Sequence, residues 1–127
     1  MIVVDASAVL AIYFDEYERV SFVRRMEQEG DRIISAINLF ECHLRAARLP
    51  NGQTELEATL ELLRLRRAPQ EADTTGLVDA HRRFGKGRHP AGLNLGDCFA
   101  YALARQHDAP LLFKGEDFRH TDVRCAL

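Results

Sequence analysis

The chain has 127 residues, 17 of them basic and 19 acidic, for a formal net charge of −2. That length supports one domain with a single core, and no apolar run approaches the roughly 20 residues of a membrane span. No basic leader or signal-type cleavage site precedes Ile2-Val3-Val4, so a cytoplasmic protein with no membrane partner is expected, and the weak charge excludes a globally basic nucleic-acid binder.

Met1 to Val4 reads as a short strand, and Asp5 to Tyr13 then switches to helical composition with a capping residue at its start. Tyr17 to Gln28 carries Tyr17, Val20, Val23 and Met26 at helical spacing, and Gly30 ends that helix. Arg32-Ile33-Ile34 is a second strand candidate. Ser35 can cap the helix that follows from Ala36 to Arg48, which Pro50-Asn51-Gly52 stops. Gln53 to Leu65 is amphipathic through Leu56, Leu60 and Leu63, and the stretch from Leu65 to Pro69 is a candidate edge strand. A helix from about Gln70 to Phe84 is weakened by Thr74-Thr75-Gly76, and Gly85 to Gly92 is a loop by composition. A further helix opens at an Asn94 cap, Pro110 to Phe113 reads as a buried strand, and Val123 to Leu127 is a candidate for one more. Strands separated by helices imply an α/β fold with parallel pairing through right-handed crossovers. Cys42, Cys98 and Cys125 are odd in number and far apart, which suits reduced core thiols better than disulfides or a zinc site.

Four carboxylates stand where the chain otherwise turns apolar: Asp5, Glu41, Asp97 and Asp117. Asp97 is the only charged residue between Arg88 and Arg105, so no cation lies within one helical turn of it. Asp5 and the segment Lys114-Gly115-Glu116-Asp117 both follow strands, where parallel sheets place their ligand sites, and Asp97 opens a helix on the same rim. Glu41, with Ile37, Phe40 and Leu44 at helical spacing, sits on or beside the inward face of its helix. Each acid alone has a plainer reading: Asp5 or Ser7 as a helix cap, Asp97 at the third position after its cap, Glu41 at the core edge, Asp117 in a solvated turn. Together they suggest a cation site, because gathered carboxylates repel unless a cation sits among them. Oxygen ligands without His or Cys favour Mg²⁺ or Mn²⁺, and such a site suits phosphoryl chemistry.

Val3-Val4-Asp5-Ala6-Ser7-Ala8, the Glu41 helix, Phe84 to Cys98, and Pro110-Leu111-Leu112-Phe113-Lys114-Gly115-Glu116-Asp117-Phe118 through Thr121-Asp122 closely resemble VapC toxins, the PIN-domain ribonucleases of type II toxin-antitoxin systems. The likeness is strong at both ends and loose over residues 49 to 80. It implies a PIN-like three-layer sandwich with a parallel four- to five-stranded sheet, Mg²⁺- or Mn²⁺-dependent RNA cleavage, a homodimer and a cognate VapB-like antitoxin. By the resemblance Asp5, Glu41 and Asp97 match the three family acids and Asp117 the fourth, with Ser7 the hydroxyl residue beside the first and Glu116 an alternative to Asp117.

His81 to His89 holds four cations and no acid just before Asp97, a local footprint for a phosphate backbone. Lys86 and Arg88 are the favoured RNA contacts, whereas Arg82 and Arg83 read equally as cations at a helix end. Two alternatives stand beside the nuclease: a receiver-like phosphoacceptor domain, suggested by Asp5 and Lys114, and a catalytically inactive PIN-fold binding module.

Overall fold

Ile2, Val3 and Val4 are all fully buried, which a strand allows only when both faces of its sheet are covered. In the computed structural model, which describes residues 1–127, they form β1 (Ile2–Val4), followed by α1 (Ala6–Tyr13) and α2 (Arg19–Glu27). Next come β2 (Arg32–Ile34), α3 (Ala36–Ala46), α4 (Gly52–Leu62), β3 (Arg66–Arg67) and α5 (Thr74–Phe84). The chain ends with α6 (Leu95–Gln106), β4 (Leu111–Leu112) and a 3-10 turn at Asp117–His120.

All pairings are parallel, in the order β3-β2-β1-β4. Val3 lies opposite both Ile33 and Leu111, and this register sorts the strand residues by face. Val3, Ile33 and Leu111 pack with Phe84, Tyr101 and Leu103 from α5 and α6. Ile2, Val4, Ile34 and Leu112 pack with Val9, Phe22, Met26, Cys42 and Leu56 from α1 to α4. The result is the expected α/β arrangement, a four-stranded sheet between two helical layers. Only a bridge between Leu111 and Cys125 stands where a fifth strand was a candidate.

The sequence pattern misplaced several faces. α2 buries Phe22 and Met26, while Tyr17 and Val20 are exposed, because the helix starts only at Arg19. α3 buries Asn38, Cys42 and Ala46, leaving Phe40 and Leu44 exposed, so its inward stripe is rotated by about half a turn from the expected one. Thr74-Thr75-Gly76 does not interrupt α5 but begins it, since Asp73 caps the helix by accepting from the Gly76 N–H at 2.8 Å. Cys42 and Cys98 are core residues as expected, but Cys125 is exposed on the outer side of β4. No helix is long and apolar enough to cross a membrane.

α6 ties the site to the sheet: it is buried from Ala100 to Ala104 and carries Asp97 at its start. Leu103→Ala, at a fully buried position, is expected to cost about 2–5 kcal/mol in urea unfolding.

Candidate active site

β2 and β3 lie on one side of β1 and β4 on the other, so the strand order reverses between β1 and β4. A crevice opens at the carboxyl ends of strands at such a point. Asp5 stands there: its N–H donates to the Leu112 carbonyl at 2.9 Å, and it caps α1. The Ser7 hydroxyl spans the crevice, donating to Asp5 Oδ2 at 2.6 Å and accepting from the Lys114 N–H at 3.0 Å. Ser7 therefore fixes the first acid and the loop after β4 relative to each other.

Asp5 is 4% exposed, and its Oδ1 is buried with no hydrogen-bond partner. Burial raises its pKa, against the opposing pull of the Ser7 hydroxyl and N–H. Asp97 closes a capping box with Asn94: Asp97 N donates to Asn94 Oδ1 at 2.9 Å, and Asn94 N donates to Asp97 Oδ2 at 3.1 Å. The capping reading of Asp97 therefore holds. Burial pushes its carboxyl up to about 6, opposed by the Asn94 N–H and aided by the charges of Asp5 and Asp117.

Glu41 reaches over from α3 onto the first turn of α6. A Cβ added to Gly96 would lie 1.8 Å from Glu41 Oε1, so only glycine admits this contact. Burial, then the charges of Asp5 and Asp97, push Glu41 up to about 7. Asp117 opens the 3-10 turn and is exposed, yet its charge is felt at Asp97. Glu116 faces elsewhere, lining a groove with Glu18, Ser21, Lys114 and Leu127. Of the two neighbouring acids, Asp117 is the one whose charge acts on Asp97.

The four acids thus come from four separate segments, with Glu41 feeling the charges of Asp5 and Asp97, and Asp97 those of Asp5 and Asp117. None of them enters an ion pair with the protein's own cations. Lys114, the cation at the crevice, is instead held by Glu16 at 2.7 Å and Glu18 at 3.2 Å. As the side chains stand, no three of the chain's Asp, Glu, His or Cys groups close tightly enough to grip an ion together.

The basic segment divides. Lys86 and Arg88 are exposed on a loop pinned beside the start of α6 by Lys86 N to Leu93 O and Leu93 N to Phe84 O, both 2.9 Å. Arg82 is exposed on the outer face of α5, beside Thr75 and Asp79. Arg83 departs from its expected role: it donates to Asp122 at 2.9 Å and to the Tyr101 hydroxyl at 3.2 Å, and stacks over Phe84. It is occupied in joining α5 to α6 and to the segment after the 3-10 turn, not held free for RNA. Asn38, fully buried in α3 and bonded to the Gly96 carbonyl at 3.0 Å, is a site neighbour that sequence reasoning overlooked. Its signal was a polar residue three positions before Glu41 on the same helix.

The sequence profile of the PIN domain family matches residues 2–124. The chain is 40% identical over 124 residues to the VapC ribonuclease Mb0640 of Mycobacterium bovis, covering 95% of each. The chain belongs to the VapC family of PIN-domain ribonucleases. It is also 40% identical over 125 residues to the ribonuclease VapC of Mycolicibacterium smegmatis, covering 95% of this chain and 96% of that one. Among solved structures, VapBC2 from Rickettsia felis bound to a promoter DNA fragment has the same fold, with a TM-score of 0.74 at 14% identity over 98% of this chain and 97% of that one. FitAcB from Neisseria gonorrhoeae follows with a TM-score of 0.65 at 21% identity over 98% and 96%. Membership of the VapC family sets aside the receiver-like alternative.

Protons held by the clustered acids give a pH signature. Glu41 titrates from a usual 4.5 to about 7 and Asp97 from 3.8 to about 6, so the folded protein binds more protons than the unfolded chain between those limits. Stability from these groups is present below the ordinary carboxylate range and is lost as pH rises through 6 to 7. Glu41→Gln should therefore melt higher than the parent at pH 7.5 in EDTA, with the gap closing at pH 5. Thermal unfolding at the two pH values checks it.

Proposed function

We propose that this chain is the toxin of a type II toxin-antitoxin pair, an endoribonuclease that hydrolyses RNA phosphodiester bonds with a divalent cation, Mg²⁺ or Mn²⁺, held by Asp5, Glu41, Asp97 and Asp117. The observation that carries the reading is the set of four mutually repelling acids with no protein cation among them. The buried, unpartnered Oδ1 of Asp5 fits a cation ligand, and an all-oxygen donor set fits these two metals. Asp5 is the fixed member, held by Ser7, and the half-buried Asp97 keeps one oxygen free of hydrogen bonds for an ion. When bound, the cation would neutralise charge building on the phosphodiester and favour deprotonation of the attacking water.

The chain's own groups do the rest. Asp5, buried and oriented, anchors the geometry from the end of β1. Glu41, pushed up to about 7 by burial and its acidic neighbours, is the acid that gains most from a cation placed among them. Lys86 and Arg88, exposed beside the start of α6, draw the RNA backbone toward the acids. An inactive binding module would have no use for acids gathered at one rim with no protein cation among them, so the enzymatic reading stands ahead of it.

A cognate VapB-like antitoxin and a second copy of the chain complete the proposal, and two apolar surfaces support them. Phe40, Leu44, Val78 and Leu95 are exposed on α3, α5 and α6, and a cleft of about 600 Å³ runs between α5 and the start of α6. Phe14, Tyr17 and Val20 form a separate exposed set around α1 and α2.

Asp5→Asn and Asp97→Asn are each expected to abolish cleavage of total RNA while melting no lower than the parent. EDTA should stop the parent enzyme, and sequencing of the new ends would identify the cut sites. Full cleavage by both variants at subsaturating Mg²⁺ would defeat the reading. Arg88→Ala should weaken RNA binding and flatten its salt dependence by about one unit of slope. An unaltered slope in fluorescence anisotropy titrations would return that loop to a structural role.

A further inference from the structure

Resting on that reading, we propose that Asn38 is a positioning residue of the reaction, whose side-chain amide locks α3 onto the first turn of α6 and so sets Glu41 against Asp97. Asn38 is completely buried in the first turn of α3, where an unpaired amide is costly. The next residues along the same face, Cys42 and Ala46, are small and apolar, so packing alone gives no reason for an amide there.

The amide acts at one point. Its Nδ2 donates to the Gly96 carbonyl at 3.0 Å, across 58 residues of sequence. A flipped amide would set Oδ1 against that carbonyl, so the orientation is fixed by the bond. The same amide lies near the Glu41 carboxyl, three residues further along α3, and favours its charged form. Glu41 in turn rests on Gly96, whose missing Cβ makes room for it, and Asp97 is the next residue. One amide therefore touches the carrier of each acid.

Energetics explain why this matters. Asp5 and Asp97 both repel the Glu41 anion, and burial disfavours it further. Without the amide, Glu41 loses that favourable neighbour, and α3 loses the bond that ties it to the first turn of α6. The remaining Oδ1 of Asn38 has no partner, so the position carries an unsatisfied buried atom that an apolar residue would avoid.

The test measures Mn²⁺ binding by isothermal titration calorimetry in the absence of RNA, alongside thermal unfolding. Asn38→Leu keeps the branched shape and removes the amide, Asn38→Ala removes both, and Ser35→Ala disturbs the cap of the same helix without touching Glu41. The two Asn38 variants should raise the Mn²⁺ Kd by about 10- to 100-fold, the range for losing a group that orients a ligand. Ser35→Ala should lower Tm and leave the Kd unchanged. With RNA added, kcat at fixed Mn²⁺ should fall in Asn38→Leu while the RNA KM holds. Parental Mn²⁺ affinity in Asn38→Leu overturns the inference, as does a Kd change in Ser35→Ala equal to that of Asn38→Ala. Asp5→Asn separates the two levels: if it binds Mn²⁺ like the parent, the cation site itself is wrong, and if it alone loses binding, only the role of Asn38 is.

Discussion

Like charges gathered around one buried carboxylate, Asp5, govern this structure. Asp5 cannot leave: it ends the central strand, caps α1 and lies under Ser7. Each further acid brought near it costs free energy, which the fold meets by burying Glu41 only partly and by giving Asp97 the helix-start N–H groups of α6. The strands beneath are two or three residues long, so the sheet serves as a short, apolar base that aims its carboxyl ends at one place.

The same economy shows in α6, whose first turn has two duties. Its capping box satisfies helix N–H groups with Asn94 and Asp97, and one oxygen of Asp97 remains free of hydrogen bonds. Its second residue, Gly96, presents bare backbone for Glu41 above and a carbonyl for Asn38. A helix start is thus both a stable end and a platform for chemistry, and α3 is registered to it by a single amide.

Much of this was legible in the sequence, and the failures have physical causes. Isolated acids in apolar runs, such as Asp5 after Val4 and Asp97 with no other charged residue between Arg88 and Arg105, announce full or partial burial directly. The layered fold followed from strands alternating with helices. Helix faces were harder: on α3, Phe40 and Leu44 carry more hydrophobicity than Cys42 and Ala46, yet the smaller pair is buried because α3 lies close against its neighbours. The partnership of Arg83 with Asp122 and Tyr101 joins residues 39 and 18 positions apart, and no local pattern encodes it. Gly96 carried no sequence signal either, because its role depends on where Glu41 arrives from another helix.

The seam between β1 and β4 has a consequence for how the molecule comes into being. Val3 and Leu111 are neighbours in the sheet but 108 positions apart in the chain, and the Ser7 hydroxyl waits for the Lys114 N–H across 107. During synthesis the first strand is exposed long before its partner leaves the ribosome. An incomplete nascent chain therefore has neither the closed crevice nor Asp117, and lacks the assembled cluster through most of translation.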